Sequence, residues 1–231
     1  MRFKTIVTIF ILFFSSIPSI QGKEDKNNSG LPPVEKIGEF KFKFGGIIID
    51  QKERSLEFNA TSNQRNGLIE YALVHESGKT HESLFRTKVR PQNLHTCFLL
   101  LKHHRETRFF ENLWSDEPKQ LNFAKSLIKT EVCWDLNGTE ITKSFEKLSL
   151  NTKNNKTLEK DAFIFTGSKK IEGTYMAEMS GSMVAVYADE EAVINSSDHD
   201  SNNDDVWIAN EEEMPELEMP VVVRFLLPRS N

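Results

Sequence analysis

Residues 67–89, GLIEYALVHESGKTHESLFRTKV, decide the fold class. Gly67 to Val74 is an apolar run with β-formers at Ile69, Tyr71 and Val74. Ser77-Gly78 interrupts it, and His81 to Val89 follows with Leu84, Phe85 and Val89. Two such runs on either side of a glycine-bearing turn predict a strand and its returning hairpin partner.

The same grammar extends in both directions. Phe40, Phe42 and Phe44 alternate with Lys41 and Lys43, Gly45-Gly46 allows a turn, and Ile47-Ile48-Ile49 reads as a buried strand. Leu56, Phe58 and Ala60 alternate again, which predicts a second hairpin. Downstream, Asn137-Gly138 separates two strand-like runs and supplies the positive-φ pair of a type I′ turn. Ala162 to Phe165, Thr174 to Glu178, Ser182 to Tyr187 and Val221 to Leu227 read as further strands, and Glu190 to Ile194 as one helical turn. Pro91 can open a helix, and Leu94, Cys97, Phe98 and Leu101 follow at helical spacing, which predicts a helix over about 91–103. The sum is a mainly β or α+β fold: a single antiparallel β-rich domain of about nine to eleven strands with that one helix.

The N-terminus reads as an address. Arg2 and Lys4 precede an apolar run from Thr5 to Phe14, then small and polar residues up to Gly22. That order fits a secretory signal peptide over 1–22, cut after Gly22 or, in competition, after Ser19. The run is shorter than the roughly 20 residues a membrane span needs, and no other run in the mature chain reads as transmembrane. Residues 23–38, with Pro32-Pro33 and no periodicity, read as a flexible linker, which leaves 39–231 as the domain. The expected location is extracytoplasmic, periplasmic or secreted.

Without Arg2 and Lys4, 27 basic residues face 34 acidic ones, a net of −7. Nucleic-acid binding needs a basic face, so this balance argues against it. Cys97 and Cys133 are the two cysteines. In an oxidising compartment they can bridge, or they can stay as two buried thiols.

Several stretches then form a pattern: Gly46-Ile47-Ile48-Ile49-Asp50, Gly67 to Val74, Gly78-Lys79-Thr80-His81-Glu82-Ser83-Leu84, Phe165-Thr166-Gly167-Ser168, Ser180-Gly181-Ser182, Asp204-Asp205-Val206-Trp207 and Pro220-Val221-Val222-Val223. In this order they resemble the YdjY-like domain family of bacterial extracytoplasmic proteins. The glycine usual after the apolar helix is replaced by Lys102-His103-His104. The resemblance implies export and a single domain, and no activity.

Two groups of residues could carry chemistry. Glu70, His81, Glu82 and His95 stand in otherwise apolar stretches. His81 and His95 with a carboxylate could hold a transition metal or act as an acid–base pair, although the spacing fits no H-E-x-x-H helix. Their structural reading is hydrogen bonding and packing, and His103-His104 reads as exposed. Asp198, Asp200, Asn202 and Asp204 alternate like the first ligands of a calcium loop, but Ala209 stands where a bidentate Glu is needed. Calcium and a transition metal are therefore the cofactors to look for. The functional expectation is a module that binds a small molecule or a protein partner. The alternatives are a metal-dependent enzyme using His81, His95 and Glu70 or Glu82, and a structural envelope component.

Overall fold

Short alternating runs, punctuated by glycine and polar turns, build a β-rich α+β domain with mostly antiparallel pairing. The computed structural model describes residues 31–229; the signal peptide expected at 1–22 lies outside them. The described strands are β1 (Val34–Lys36), β2 (Lys41–Phe44), β3 (Ile47–Asp50), β4 (Ser55–Ser62), β5 (Tyr71–His75), β6 (Ser83–Thr87), β7 (Lys129–Leu136), β8 (Thr139–Lys143), β9 (Ser149–Asn151), β10 (Lys156–Thr157), β11 (Phe163–Phe165), β12 (Lys170–Ile171), β13 (Thr174–Tyr175), β14 (Ser182–Ala185), β15 (Ile194–Ser196), β16 (Trp207–Ala209) and β17 (Pro220–Leu226). The helices are α1 (Pro91–Leu100), α2 (Phe109–Leu113), α3 (Phe145–Leu148) and α4 (Met176–Ser180).

The last strand ties the sheet together. β17 pairs with β4 from Thr61↔Pro220 to Ser55↔Leu226, and its other edge pairs with β7 from Cys133↔Val222 to Lys129↔Leu226. β4 shares its second edge between β3 at one end and β6 at the other. From β6 the sheet continues through β5, β14 and β15 to β11. Leu127, just before β7, bridges Ile164 of β11, and Ile128 N donates to Phe163 O at 2.9 Å. The path therefore returns to β7, and the ring β4-β6-β5-β14-β15-β11-β7-β17 closes on itself. Closure removes free edges, the main aggregation liability of a sheet, from the ring strands, while β1 and β8 off the ring are each paired on one side only. Inward residues such as Leu56, Phe58, Val132, Val223 and Phe225 fill the core. Phe98 of α1 stacks on Phe165 at 4.6 Å, and Phe145 of α3 meets Phe163 edge-on at 6.0 Å. Burying each such ring stabilises the fold by roughly 1.5–3 kcal/mol.

The stretch that decided the fold class is placed differently from its sequence reading. β5 and β6 are parallel, Tyr71 beside Ser83 and His75 beside Thr87, not a hairpin. Ser77-Gly78 does turn, with Gly78 N donating to His75 O at 2.8 Å. Neither residue has positive φ, which a two-residue hairpin turn requires. The chain instead runs back alongside β5 through a 3₁₀ turn, Thr80–Glu82, before β6 starts. Asn137 and Gly138 do have φ 55° and 82°, and there the expected β7–β8 hairpin forms.

Other expectations shift locally. A strand, β1, already lies within the segment read as linker and pairs with β2. Ile48 faces outward between the buried Ile47 and Ile49. Thr174 to Glu178 divides into β13 and α4, and Glu190 to Ile194 turns into β15 without a helix. The helix from Pro91 stops at Leu100. Lys102 adopts φ 50° in place of the absent glycine. Lys102 N donates to Leu99 O and His103 N to Phe98 O, both at 2.9 Å, which is the Schellman closure. That turn drives His103 inward, so it is buried and not exposed. Cys97 and Cys133 are both buried free thiols, and burial pushes the Cys97 thiol up to about 12. No helix among the described residues is long and apolar enough to cross a membrane.

Candidate functional site

The Gly78-to-Leu84 block is held by a backbone contact. A Cβ on Gly78 would meet Ser180 O at 2.9 Å, and one on Gly181 would meet Gly78 Cα at 2.7 Å. Gly181 also has φ 75°, a conformation that costs other residues roughly 1–2 kcal/mol. Two of the stretches that carry the family resemblance therefore touch each other through their glycines. A third behaves alike: Arg105 lies across Gly167 and donates to Thr166 O and Ser168 O, both at 2.5 Å.

This contact sets Lys79 over β5. Lys79 Nζ lies 4.8 Å from the centre of the Tyr71 ring and donates to Tyr71 Oη at 2.5 Å; Tyr71 Oη in turn donates to Asp189 Oδ2 at 2.9 Å. Asp189 Oδ1 accepts from Glu191 N at 2.8 Å. These groups line a cavity of about 380 Å³ together with Glu70 and the Lys169–Glu190 ion pair. Burial raises the Glu70 carboxyl above its ordinary range, and Glu82, Asp204 and Asp189 add to it, while Lys79 pulls the other way. Burial, then Asp189, also hold the Tyr71 hydroxyl above its usual value. Glu70 and Glu82 thus lie close enough for each carboxyl to act on the other.

The two histidines do not join them. The His81 side chain is 78% exposed, with Nε2 3.6 Å from Glu82 Oε2. His95 lies against Tyr175, ring centres 5.1 Å apart, and against Phe165 at 5.5 Å. Burial, then Arg105 and Lys170, lower His95 to about 4, so it sits there as a neutral ring. The set His81, His95 and Glu70 or Glu82 is not assembled as a metal or acid–base site.

The calcium-like spacing is not realised either. Asp198 is buried, with Oδ1 accepting from Asp200 N at 3.0 Å and Oδ2 from Glu159 N at 2.9 Å. Asp200 accepts from Asn151 Nδ2 at 2.7 Å. Asn202 is exposed, and Asp204 acts on Glu70. Among the described residues, the one group of three or more His, Cys, Asp or Glu ligand atoms within 4.8 Å of one another is Glu159, Asp198 and His199.

Sequence reasoning missed a wide concavity. A trough of about 1080 Å³ crosses five neighbouring strands, touching Arg86 of β6, Asn59 of β4, Val222 of β17, Cys133 of β7 and Glu140 of β8. Five strands about 4.8 Å apart make it about 19 Å long. Its floor is the outward face of the alternating strands. Arg224 donates to Glu57 Oε2 on one side at 2.9 Å and to Glu131 Oε2 on the other at 3.0 Å. Arg86 meets both carboxylate oxygens of Glu218, at 3.0 and 2.5 Å. The available signal was the residues between the core positions: Glu57, Asn59 and Thr61 on β4, and Val222 and Arg224 on β17. Only pairing between strands distant in sequence shows that they share a face.

No curated protein and no solved structure matches the chain. The YdjY domain family matches residues 47–226, from β3 through β17, so the whole closed ring lies within the match and the chain belongs to that family.

Proposed function

We propose that this protein is an exported, non-catalytic binding module that holds an extended peptide segment of a partner in the trough across β6, β4, β17, β7 and β8. The observation that carries this reading is the trough itself. Its length suits about six residues of extended chain at roughly 3.3 Å each. Its guanidinium groups are already paired with carboxylates, an arrangement suited to orienting a polar chain and not to proton transfer. Among the described residues, Trp134 is the one aromatic side chain on its lining, and it is buried; a glycan site would instead present exposed rings for stacking. Export is supported by the order of charge, apolar run and small residues at 1–22.

Selection of phage-displayed random peptides on the tag-free mature chain tests the reading. Enriched peptides should lose at least tenfold in affinity for Val222→Trp, which fills the trough from an outward position, at an unchanged Tm. Enrichment of no peptide, or peptides indifferent to that substitution, would remove the proposal. For export, cell fractionation and N-terminal sequencing should find the protein outside the cytoplasm and starting at Lys23 or Ile20.

A further inference from the structure

The loop after β15 surrounds one imidazole with three carboxylates. His199 Nδ1 is 3.0 Å from Asp198 Oδ1 and 3.5 Å from Glu159 Oε1, and His199 Nε2 is 3.3 Å from Asp200 Oδ2. A neutral imidazole donates from one nitrogen only. With Nε2–H on Asp200, the Nδ1 lone pair faces two carboxylate oxygens, an acceptor against acceptors. The three ligand atoms lie within 4.8 Å of one another, so their lone pairs can converge on one shared cation. We infer that Glu159, Asp198 and His199 Nδ1 form a three-ligand site for a divalent transition cation of the zinc class.

Three features fit this ligand. The 3.0 and 3.5 Å separations bracket the edge of about 3.3 Å that a tetrahedron built on bonds of roughly 2.0–2.1 Å requires. One imidazole nitrogen with carboxylate oxygens is a borderline donor set, whereas calcium takes six to eight oxygens at longer distance. The far nitrogen of His199 meets Asp200, itself held by Asn151 Nδ2 at 2.7 Å, the carboxylate-to-histidine support that orients metal-bound imidazoles. Asp198 supplies the rigid element: its side chain is 1% exposed and its backbone-bonded oxygens each keep a lone pair. Glu159 and His199, both largely exposed, leave a fourth position open to water or to a partner's side chain.

Calorimetric titration of the chelator-treated, tag-free mature chain with Zn²⁺ at pH 7.5 tests the site, with Co²⁺ absorption as a second readout. One equivalent should bind and raise Tm. His199→Ala and Glu159→Gln, both at exposed positions, should each weaken binding at least tenfold with little change in metal-free Tm. Asn202→Ala should bind as the parent does. Absence of saturable binding would overturn the site. Equal affinity in the His199 and Glu159 variants, or tighter binding of Ca²⁺ than of Zn²⁺, would overturn it as well.

Discussion

The trough and the Glu70 cavity treat charge in opposite ways. At the trough, opposite charges from neighbouring strands meet in register: Glu57 and Arg224 line it, and Glu131 stands on the other side of Arg224, across β4, β17 and β7. In the cavity, Glu70 has Glu82, Asp204 and Asp189 around it, and Lys79 as its compensating cation. A cross-strand ladder keeps a surface stiff and nearly neutral. A carboxyl crowded by its own sign works against the fold that contains it, so something else must hold it there. Here the holder is the Gly78–Gly181 contact, a steric device independent of charge.

The largest effect should come from that device. Gly181→Ala puts a methyl group against Gly78 Cα and forces a positive φ on alanine, and should cost about 3 kcal/mol in urea unfolding. Loss of less than about 1 kcal/mol would mean the two loops separate easily and do not fix Lys79. Next comes the ladder. Arg224→Met leaves Glu57 and Glu131 on either side of an uncharged strand and should cost about 1–2 kcal/mol, since all three side chains are about one-third exposed and water screens them. The cost should shrink in 1 M salt; a cost unchanged by salt would assign it to packing of the arginine stem. Smaller again is Lys79→Met, at about 0.5–1 kcal/mol for one charge-assisted hydrogen bond and the contact with the Tyr71 face. The loss should be less in a Glu70→Gln background, because Lys79 then has one carboxylate fewer to offset. Equal loss in both backgrounds would uncouple the two residues.

How much of this was legible in the sequence depends on the range of the interaction. The Asn137-Gly138 hairpin, the Pro91 helix start, the alternation of β4 and the strand near Val221 to Leu227 rest on neighbours in the chain, and all formed as read. The parallel β5–β6 pair did not, because the Ser77-Gly78 turn signal is silent about where the chain goes next. What directs it is the contact of Gly78 with Gly181, about a hundred residues away. The site shows the same division. Glu70 and Glu82 were singled out as charges in apolar stretches, and burial explains why Glu70 is unusual. His95 drew attention for the same reason, yet it serves as an aromatic packing element beside Tyr175. Glu159 carried no local signal, since its role depends on Asp198 and His199, about forty residues on, being brought beside it by the pairing of β15 with β11. Lys102 shows the converse: the glycine was missing, but the left-handed turn it would have made is there.

The smallest effect is the most specific, because its sign separates the two regions. Glu70 has its carboxyl raised in the folded state, so the fold disfavours the charged form. The resulting penalty is fully present at pH values above the raised value and is relieved as pH falls through it toward the ordinary range near 4.5. Glu70→Gln should therefore stabilise the protein at pH 7, by a few tenths of a kcal/mol given the partial exposure of the group. The gain should disappear in acid, where the parent carboxyl is protonated and resembles the amide. Glu57→Gln in the ladder should do the reverse at pH 7 and lose a similar amount, because its charge is paired with Arg224. Paired urea titrations at pH 7 and pH 4 measure both. If the two substitutions shift stability in the same direction at pH 7, the contrast between a cancelled floor and a crowded cavity is wrong, and Glu70 would have to be read as one more paired carboxylate with Lys79 as its full counterion.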